Sequence, residues 1–206
     1  MSHEEEAQRP GNLAAVLLAA GGSARMGTPK QLLAYDGQSL LRRAAGAAVG
    51  ARCWPVVVVL GHEAEAMAAE LHGLPVDTAL NPDWADGIGT SIRCSVRRLL
   101  ELSPTAEATL LVLCDQPLVT ADTLARLADA RRRSGKAVAV SAYAGTIGPP
   151  VCVGREFFAD LLALPNDQGA KAVWARRPDA VVAVPCAEAA TDVDTPGDYE
   201  RLRRGR

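Results

Sequence analysis

The sequence predicts a three-layer α/β fold built on a mostly parallel sheet. Three observations carry that prediction. Apolar runs at 13–20, 55–60 and 109–114 lack the alternation of a half-exposed strand, so they read as strands buried on both faces. Segments of helical length separate them, which is the pattern of strand–helix–strand crossovers. Each run also stops at residues suited to a binding loop: Gly21-Gly22, Gly61, and Asp115-Gln116-Pro117. Open α/β sheets place their ligands at that carboxyl rim.

With 206 residues the chain can bury a sizeable core in one domain over 13–206, after an acidic polar tail over 1–12. Hydrophobic residues make up 49% and aromatics only 4%, so the core must rest on Ala, Val and Leu. A net charge of −2 gives no general attraction to nucleic acid or anionic lipid. Any polyanion must be held by a local cluster. The five cysteines form no C-x-x-C pair and are odd in number, against a disulfide framework or zinc site and in favour of a reducing cytoplasm. His3, His62 and His72 have no metal-ligand spacing. Residues 1–10 do not read as a signal peptide, and no apolar stretch has the length of a membrane span.

The first strand runs into Gly21 and Gly22, which let the backbone turn and approach a ligand closely. Ser23, Arg25 and Lys30 follow with a hydroxyl, a planar fork and a point charge. Backbone N–H groups and two cations at a strand end suit a polyanion such as a triphosphate. An ordinary turn with surface cations is the alternative. The loop is not a Walker motif, because Thr28-Pro29 follows Gly27. Nor is a dinucleotide fingerprint present: after Gly87 and Gly89 the third glycine position is Ile92.

A helix is expected from Ser39, its cap, to Gly50. Strand 55–60 leads to His62, a solvated loop histidine, then to a helix over 63–71 and a short strand over 75–79. In Asn81-Pro82-Asp83-Trp84 and Gly87-Ile88-Gly89-Thr90-Ser91, Thr90 or Ser91 is expected to cap a helix running to 101. The N-terminus of that helix would bring partial positive charge to the cleft. Asp115 ends the strand over 109–114, where Mg²⁺-nucleotide sites are built, although an aspartate there can also cap the next helix. That helix runs from Thr120 to Gly135, and Arg131-Arg132-Arg133 is its solvated end. A strand over 137–142, a turn-rich stretch over 143–150, a short apolar strand over 151–153, a helix opening after Pro165 and a strand over 181–184 follow. Asp194 is expected to cap the last helix, with Pro196 in its first turn.

The string from Leu18-Ala19-Ala20-Gly21 through Arg25-Met26-Gly27 to Lys30-Gln31-Leu32-Leu33 resembles the signature L-A-A-G-x-S-x-R-M-G-x-x-K-x-L-L. It opens the molybdenum cofactor cytidylyltransferases, a branch of the MobA-like NTP transferases. The resemblance runs from about residue 13 to 202. It implies a Rossmann-like nucleotidyltransferase fold in which Leu18, Ala19, Ala20, Gly21, Gly22, Ser23 and Lys30 bind the nucleotide. Asn81, Gly89 and Ser91 would assist through an N-P-x-W/Y-x-x-G-x-x-x-S segment. It also implies Arg25, Lys30 and Asp115 as catalytic residues, and Mg²⁺, with Mn²⁺ as a substitute, on Asp115 and Asp194. Asp192 is the reserve ligand. Gly148, Pro150 and Lys171 would meet the acceptor. The related G-D-x-G-A-R/K pattern has Asn166 at its first glycine here.

The implied reaction moves CMP from CTP to the terminal phosphate of molybdopterin. Pyrophosphate leaves and molybdopterin cytosine dinucleotide forms, with transient contact to an apo-molybdoenzyme or its chaperone. Ala19-Ala20-Gly21 resembles the cytidylyl rather than the guanylyl form of the motif. Another phosphorylated acceptor, GTP as donor, or a non-catalytic carrier of the cofactor are the alternatives. A nicotinamide-dependent Rossmann reductase lacks its glycine fingerprint here.

Overall fold

The computed structural model describes residues 13–204. The tail over 1–12 and the end of the terminal arginine run lie outside the described residues. The apolar runs become β1 (Leu13–Leu18), β4 (Val56–Leu60) and β6 (Ala108–Leu113). With β5 (Asp77–Leu80), β7 (Val138–Tyr143), β8 (Thr146–Gly154) and β9 (Val181–Pro185) they form one seven-stranded sheet ordered β5-β4-β1-β6-β8-β7-β9. The separate hairpin of β2 (Ala34–Tyr35) and β3 (Gln38–Ser39) leads into α1 (Leu40–Gly50).

Every pair in the sheet is parallel except those of β8, which runs antiparallel to β6 and β7. The expected mostly parallel three-layer fold is present. The stretch 143–150, expected to be turn, is instead half of a hairpin: β7 turns at Ala144-Gly145 into a nine-residue β8. Prolines cannot donate to a ladder. The register shifts between Val140 and Ser141, which pair with Val151 and Gly148, so Pro149 and Pro150 fall in a bulge.

Side chains of the central strands alternate between two cores. Ala15 and Leu17 pack with Leu41, Ala45 and Ala48 of α1, Met67 of α2 (Ala64–Glu70), and Leu124 and Leu127 of α4 (Ala121–Ser134). Ala14 and Val16 pack on the other face with Ile92, Val96 and Leu99 of α3 (Ile88–Leu102), Leu161 of α5 (Phe158–Leu162) and Trp174 of α6 (Lys171–Trp174). Among the described residues no helix is long and apolar enough to cross a membrane.

Three cap expectations meet different outcomes. Ser39 caps α1 and accepts from the Arg42 amide at 3.1 Å. Thr90 and Ser91 do not cap α3: Gly87 takes that position with φ 127°, a conformation that favours glycine, and both hydroxyl residues lie inside the first turn. Asp194 does not cap α7 (Pro196–Arg204). Thr195 does, accepting from the Asp198 amide at 3.3 Å while Asp198 accepts from the Thr195 amide at 2.7 Å. That reciprocal box leaves the Asp194 carboxylate free for other partners.

A small third core joins distant segments at the carboxyl rim. Met26 of the loop after β1 packs with Tyr35, Leu40, Val193 and Leu202. Beside it the Val193 amide donates to the carbonyl of Asp115 at 2.9 Å. Truncating Met26 removes an anchor of the loop. Met26→Ala should cost about 2 kcal/mol, the low end for a buried Met→Ala change because the side chain lies at the core's edge. Denaturant unfolding measures the loss. Tryptic nicking after Arg25 should accelerate more than global unfolding explains, and equal acceleration at all sites would show that Met26 does not hold this loop.

Candidate active site

β1 and β6 are neighbours. The chain leaves β1 toward β4 on one side and returns to β6 on the other. Their shared end is therefore a topological switch point, where open α/β sheets form a ligand crevice. Leu18 and Leu113 pair across that end, so the loop from Gly21 and the side chain of Asp115 leave the sheet side by side.

The loop after β1 is stapled by a residue the sequence reading passed over. Gln31 is buried, and its amide nitrogen donates to the carbonyls of Ala19 at 2.9 Å and Gly21 at 2.6 Å. Its amide oxygen accepts from the Ser23 hydroxyl at 3.0 Å. Ser23 in turn accepts from the Lys30 amide at 3.1 Å. Satisfying these groups fixes both ends of the loop. The available signal was an amide standing between a cation and two leucines in Lys30-Gln31-Leu32-Leu33.

Lys30 opens a short 3₁₀ turn, and its ammonium lies between two carboxylates, 2.6 Å from Asp115 Oδ2 and 2.7 Å from Asp194 Oδ1. Its side chain is 17% exposed, that of Asp115 15% and that of Asp194 34%. Arg25, 72% exposed, donates to the other oxygen of Asp194 at 2.9 Å. Burial acts to lower the Lys30 pKa, but Asp115 and then Asp194 outweigh it and hold it above the ordinary lysine value. The hydrogen bond from Lys30, with Arg25 adding charge, holds the Asp194 carboxyl below its ordinary value. Asp192 is shifted the other way, by burial and then by the charge of Asp115. Asp194, not the reserve Asp192, is the carboxylate that meets both cations.

A cavity of about 350 Å³ sits over this cluster. Among the sequence-predicted residues, Leu18, Ala20, Gly21, Ser23, Arg25, Lys30, Ser91, Asp115 and Asp194 line it. Ala19 is buried in the core below, and Gly22 lies against Trp84, where an added Cβ would come within 3.2 Å of the indole. Trp84 both walls the cavity and plugs the loop. His62 tilts against it with ring centroids 5.3 Å apart, and its side chain keeps 38% of its surface in solvent, as a loop histidine was expected to.

Asn81 and Gly89 serve as scaffold. The Asn81 amide is buried and donates to Thr90 at 2.9 Å and Ser91 at 3.0 Å. The Gly89 N–H donates to the Asn166 carbonyl at 2.8 Å, so this part of the α3 N-terminus is occupied by the chain itself rather than turned to the cleft. Arg93 clamps the same loop through the Leu164 carbonyl and, at 2.6 Å, Asn166 Oδ1. Asn166 therefore has a docking role at the position where the related pattern carries glycine.

A second cavity, about 270 Å³, adjoins the first and shares Leu18, Ile88 and Leu113 with it. Gly148 and Lys171 line it beside apolar walls that include Leu111, Val140 and Trp174. Pro150 does not: it is buried, and its carbonyl accepts from Ser141 at 2.7 Å. Lys171 begins α6, whose N-cap is Ala170, so no aspartate caps it.

A family model described as the MobA-like NTP transferase domain matches residues 15–181. Nicotine blue oxidoreductase of Paenarthrobacter nicotinovorans is 32% identical over 91% of this chain and 94% of its own. The purine catabolism protein PucB of Bacillus subtilis is 29% identical over 93% of this chain and 96% of its own. The solved structure of Rv0371c from Mycobacterium tuberculosis H37Rv is 32% identical with a TM-score of 0.76, covering 94% of this chain and 98% of that one. The same protein has been solved in complex with manganese, with a TM-score of 0.74.

The docking of the 165–166 loop gives a direct test of the scaffold. A Cβ on Gly89 would lie 2.0 Å from the Pro165 carbonyl oxygen, so the backbone must move. Gly89→Ala should destabilise the fold by about 1–3 kcal/mol, as overpacking does, and lower the melting temperature. An unchanged melt would show that this loop is not held against α3.

Proposed function

The chain belongs to the MobA-like NTP transferase family, and from that membership we propose that it transfers CMP from CTP to the terminal phosphate of molybdopterin. Pyrophosphate is released and molybdopterin cytosine dinucleotide is formed. The observation that carries the reading is the cluster of Arg25, Lys30, Asp115 and Asp194 at the switch point, beneath the glycine loop. The acceptor phosphate is already ionised near neutral pH, so it attacks the α-phosphorus without a general base. Such a transfer needs positioning and charge stabilisation more than covalent help. Loop amides around Gly21 cradle the phosphates, and Arg25 and Lys30 offset the charge that develops as pyrophosphate departs.

The donor set fits a hard divalent cation. Asp115 and Asp194 offer oxygen ligands, and Asp115 Oδ1 is buried with no hydrogen-bond partner among the described residues. Mg²⁺ or Mn²⁺ held there would neutralise triphosphate charge. The carboxylates orient, while Ser23 and Gln31 hold the loop and its lysine in place. The second cavity, with Gly148 and Lys171, receives the acceptor, and Lys171 meets its charge. Preference for CTP rests on Ala19-Ala20-Gly21. The five cysteines are unpaired, in keeping with a cytoplasmic enzyme that hands its product to an apo-molybdoenzyme or its chaperone.

One observation favours a second reading. A relative spanning nearly the whole chain is named an oxidoreductase. A redox enzyme would consume a reductant without releasing pyrophosphate.

Pyrophosphate release should be measured with each of the four nucleoside triphosphates and Mg²⁺, with and without molybdopterin. Release that needs both CTP and molybdopterin is expected. Preference for GTP would overturn the base assignment, and NADPH oxidation without release would favour the redox reading. Asp115→Asn and Asp194→Asn should each lower turnover by about 10²–10³-fold with the melt preserved. The double variant should lose little more than either, because the two act as a unit. Fully multiplicative losses would contradict that.

A further inference from the structure

The Lys30 ammonium occupies the space between the carboxylates that the preceding reading gives to a divalent cation. We propose that Lys30 is a displaceable internal counter-ion, which holds Asp115 and Asp194 together until metal and triphosphate arrive and separate it from them. This rests on the nucleotidyltransferase reading and adds an order to it.

Four observations support the exchange. Lys30 Nζ lies 2.6 Å from one carboxylate and 2.7 Å from the other, so a divalent ion held by these two residues would be repelled by the ammonium already between them. Among the described residues Asp115 Oδ1 is buried and unpartnered while Lys30 holds Oδ2, a costly state for a carboxylate and one that a second arrangement would relieve. The Lys30 backbone is fixed by Ser23 at 3.1 Å, whereas its four-carbon stem is flexible. Its ammonium can therefore move by side-chain rotation while the loop keeps its shape. Finally, Arg25 neutralises the outer oxygen of Asp194. Two cations thus offset the two carboxylates they touch.

A divalent ion arriving alone finds those carboxylates already neutralised. A triphosphate arriving alone finds cations already engaged. Together they exchange partners: the phosphates draw off Lys30 and Arg25, and the carboxylates turn to the metal. By linkage, each must then tighten the binding of the other.

The test is Mn²⁺ binding to the full chain, without nucleotide, followed by electron paramagnetic resonance. Wild type should bind weakly. Lys30→Met, which keeps the stem and removes the charge, should bind at least about tenfold more tightly, within the usual span of site–site coupling. Lys30→Gln should do the same, and Lys30→Met combined with Asp115→Asn should lose the gain. Equal affinity in wild type and both single variants, or a gain that survives loss of Asp115, would overturn the proposal.

A second readout needs only wild type: Mn²⁺ alone should leave the melting temperature nearly unchanged, while Mn²⁺ with CTP should raise it. A rise with Mn²⁺ alone as large as with both would also overturn the counter-ion role. If no variant binds Mn²⁺ while wild type still releases pyrophosphate from CTP in a metal-dependent reaction, the counter-ion proposal and the carboxylate site both fail. The nucleotidyltransferase reading then stands.

Discussion

A lysine ammonium shared by two carboxylates lies at the centre of this cleft, and its three residues come from distant parts of the chain. Nothing local brings them together. Asp115 is fixed by the end of β6, and Lys30 by the turn that follows the glycine loop. Asp194 is fixed by the Val193 amide, which donates to the Asp115 carbonyl at 2.9 Å, and by Val193 itself in the third core. The ion cluster is therefore a product of tertiary packing. Its charges lie close because the backbone around them is held by hydrogen bonds and apolar burial.

The glycine loop depends on the same logic. Its shape comes less from glycine freedom than from the buried Gln31 side chain, which satisfies two carbonyls and a hydroxyl. Trp84 fills the niche behind it, where an added Cβ on Gly61 would lie 2.7 Å from the indole. The loop is thus packed closely on Trp84 from behind while presenting polar groups to the cavity. That combination suits a reaction in which positioning matters more than covalent participation.

Much of the fold was legible because buried parallel strands carry an unmistakable pattern. The runs ending at Gly21 and Asp115 required no tertiary knowledge to place at one rim. Of β8 only the end over 151–153 was legible, since Gly148-Pro149-Pro150 reads locally as a turn and only the bulge opposite Val140 and Ser141 makes room for prolines within the sheet. At the site, Arg25, Lys30, Asp115 and Asp194 were named from the sequence, but their mutual pairing was not. A sequence gives residue types near a site and not which charge neutralises which. Asp194 was read as a helix cap because aspartate is a common one, and Thr195 with Asp198 satisfied that helix instead. Asn81 and Gly89 were expected to assist in nucleotide binding, and the sequence did not reveal their hydrogen bonds to Thr90, Ser91 and the Asn166 carbonyl, which depend on tertiary packing.

We propose that this cluster is the reaction centre for a metal–triphosphate. The most direct measurement is anomalous diffraction from crystals grown with Mn²⁺ and a non-hydrolysable CTP analogue. A manganese peak at Asp115 and Asp194 is expected, with the triphosphate under the Gly21 loop and Lys30 turned onto it. Manganese and nucleotide bound away from the β1–β6 end of the sheet, with Lys30 still between its two carboxylates, would contradict it.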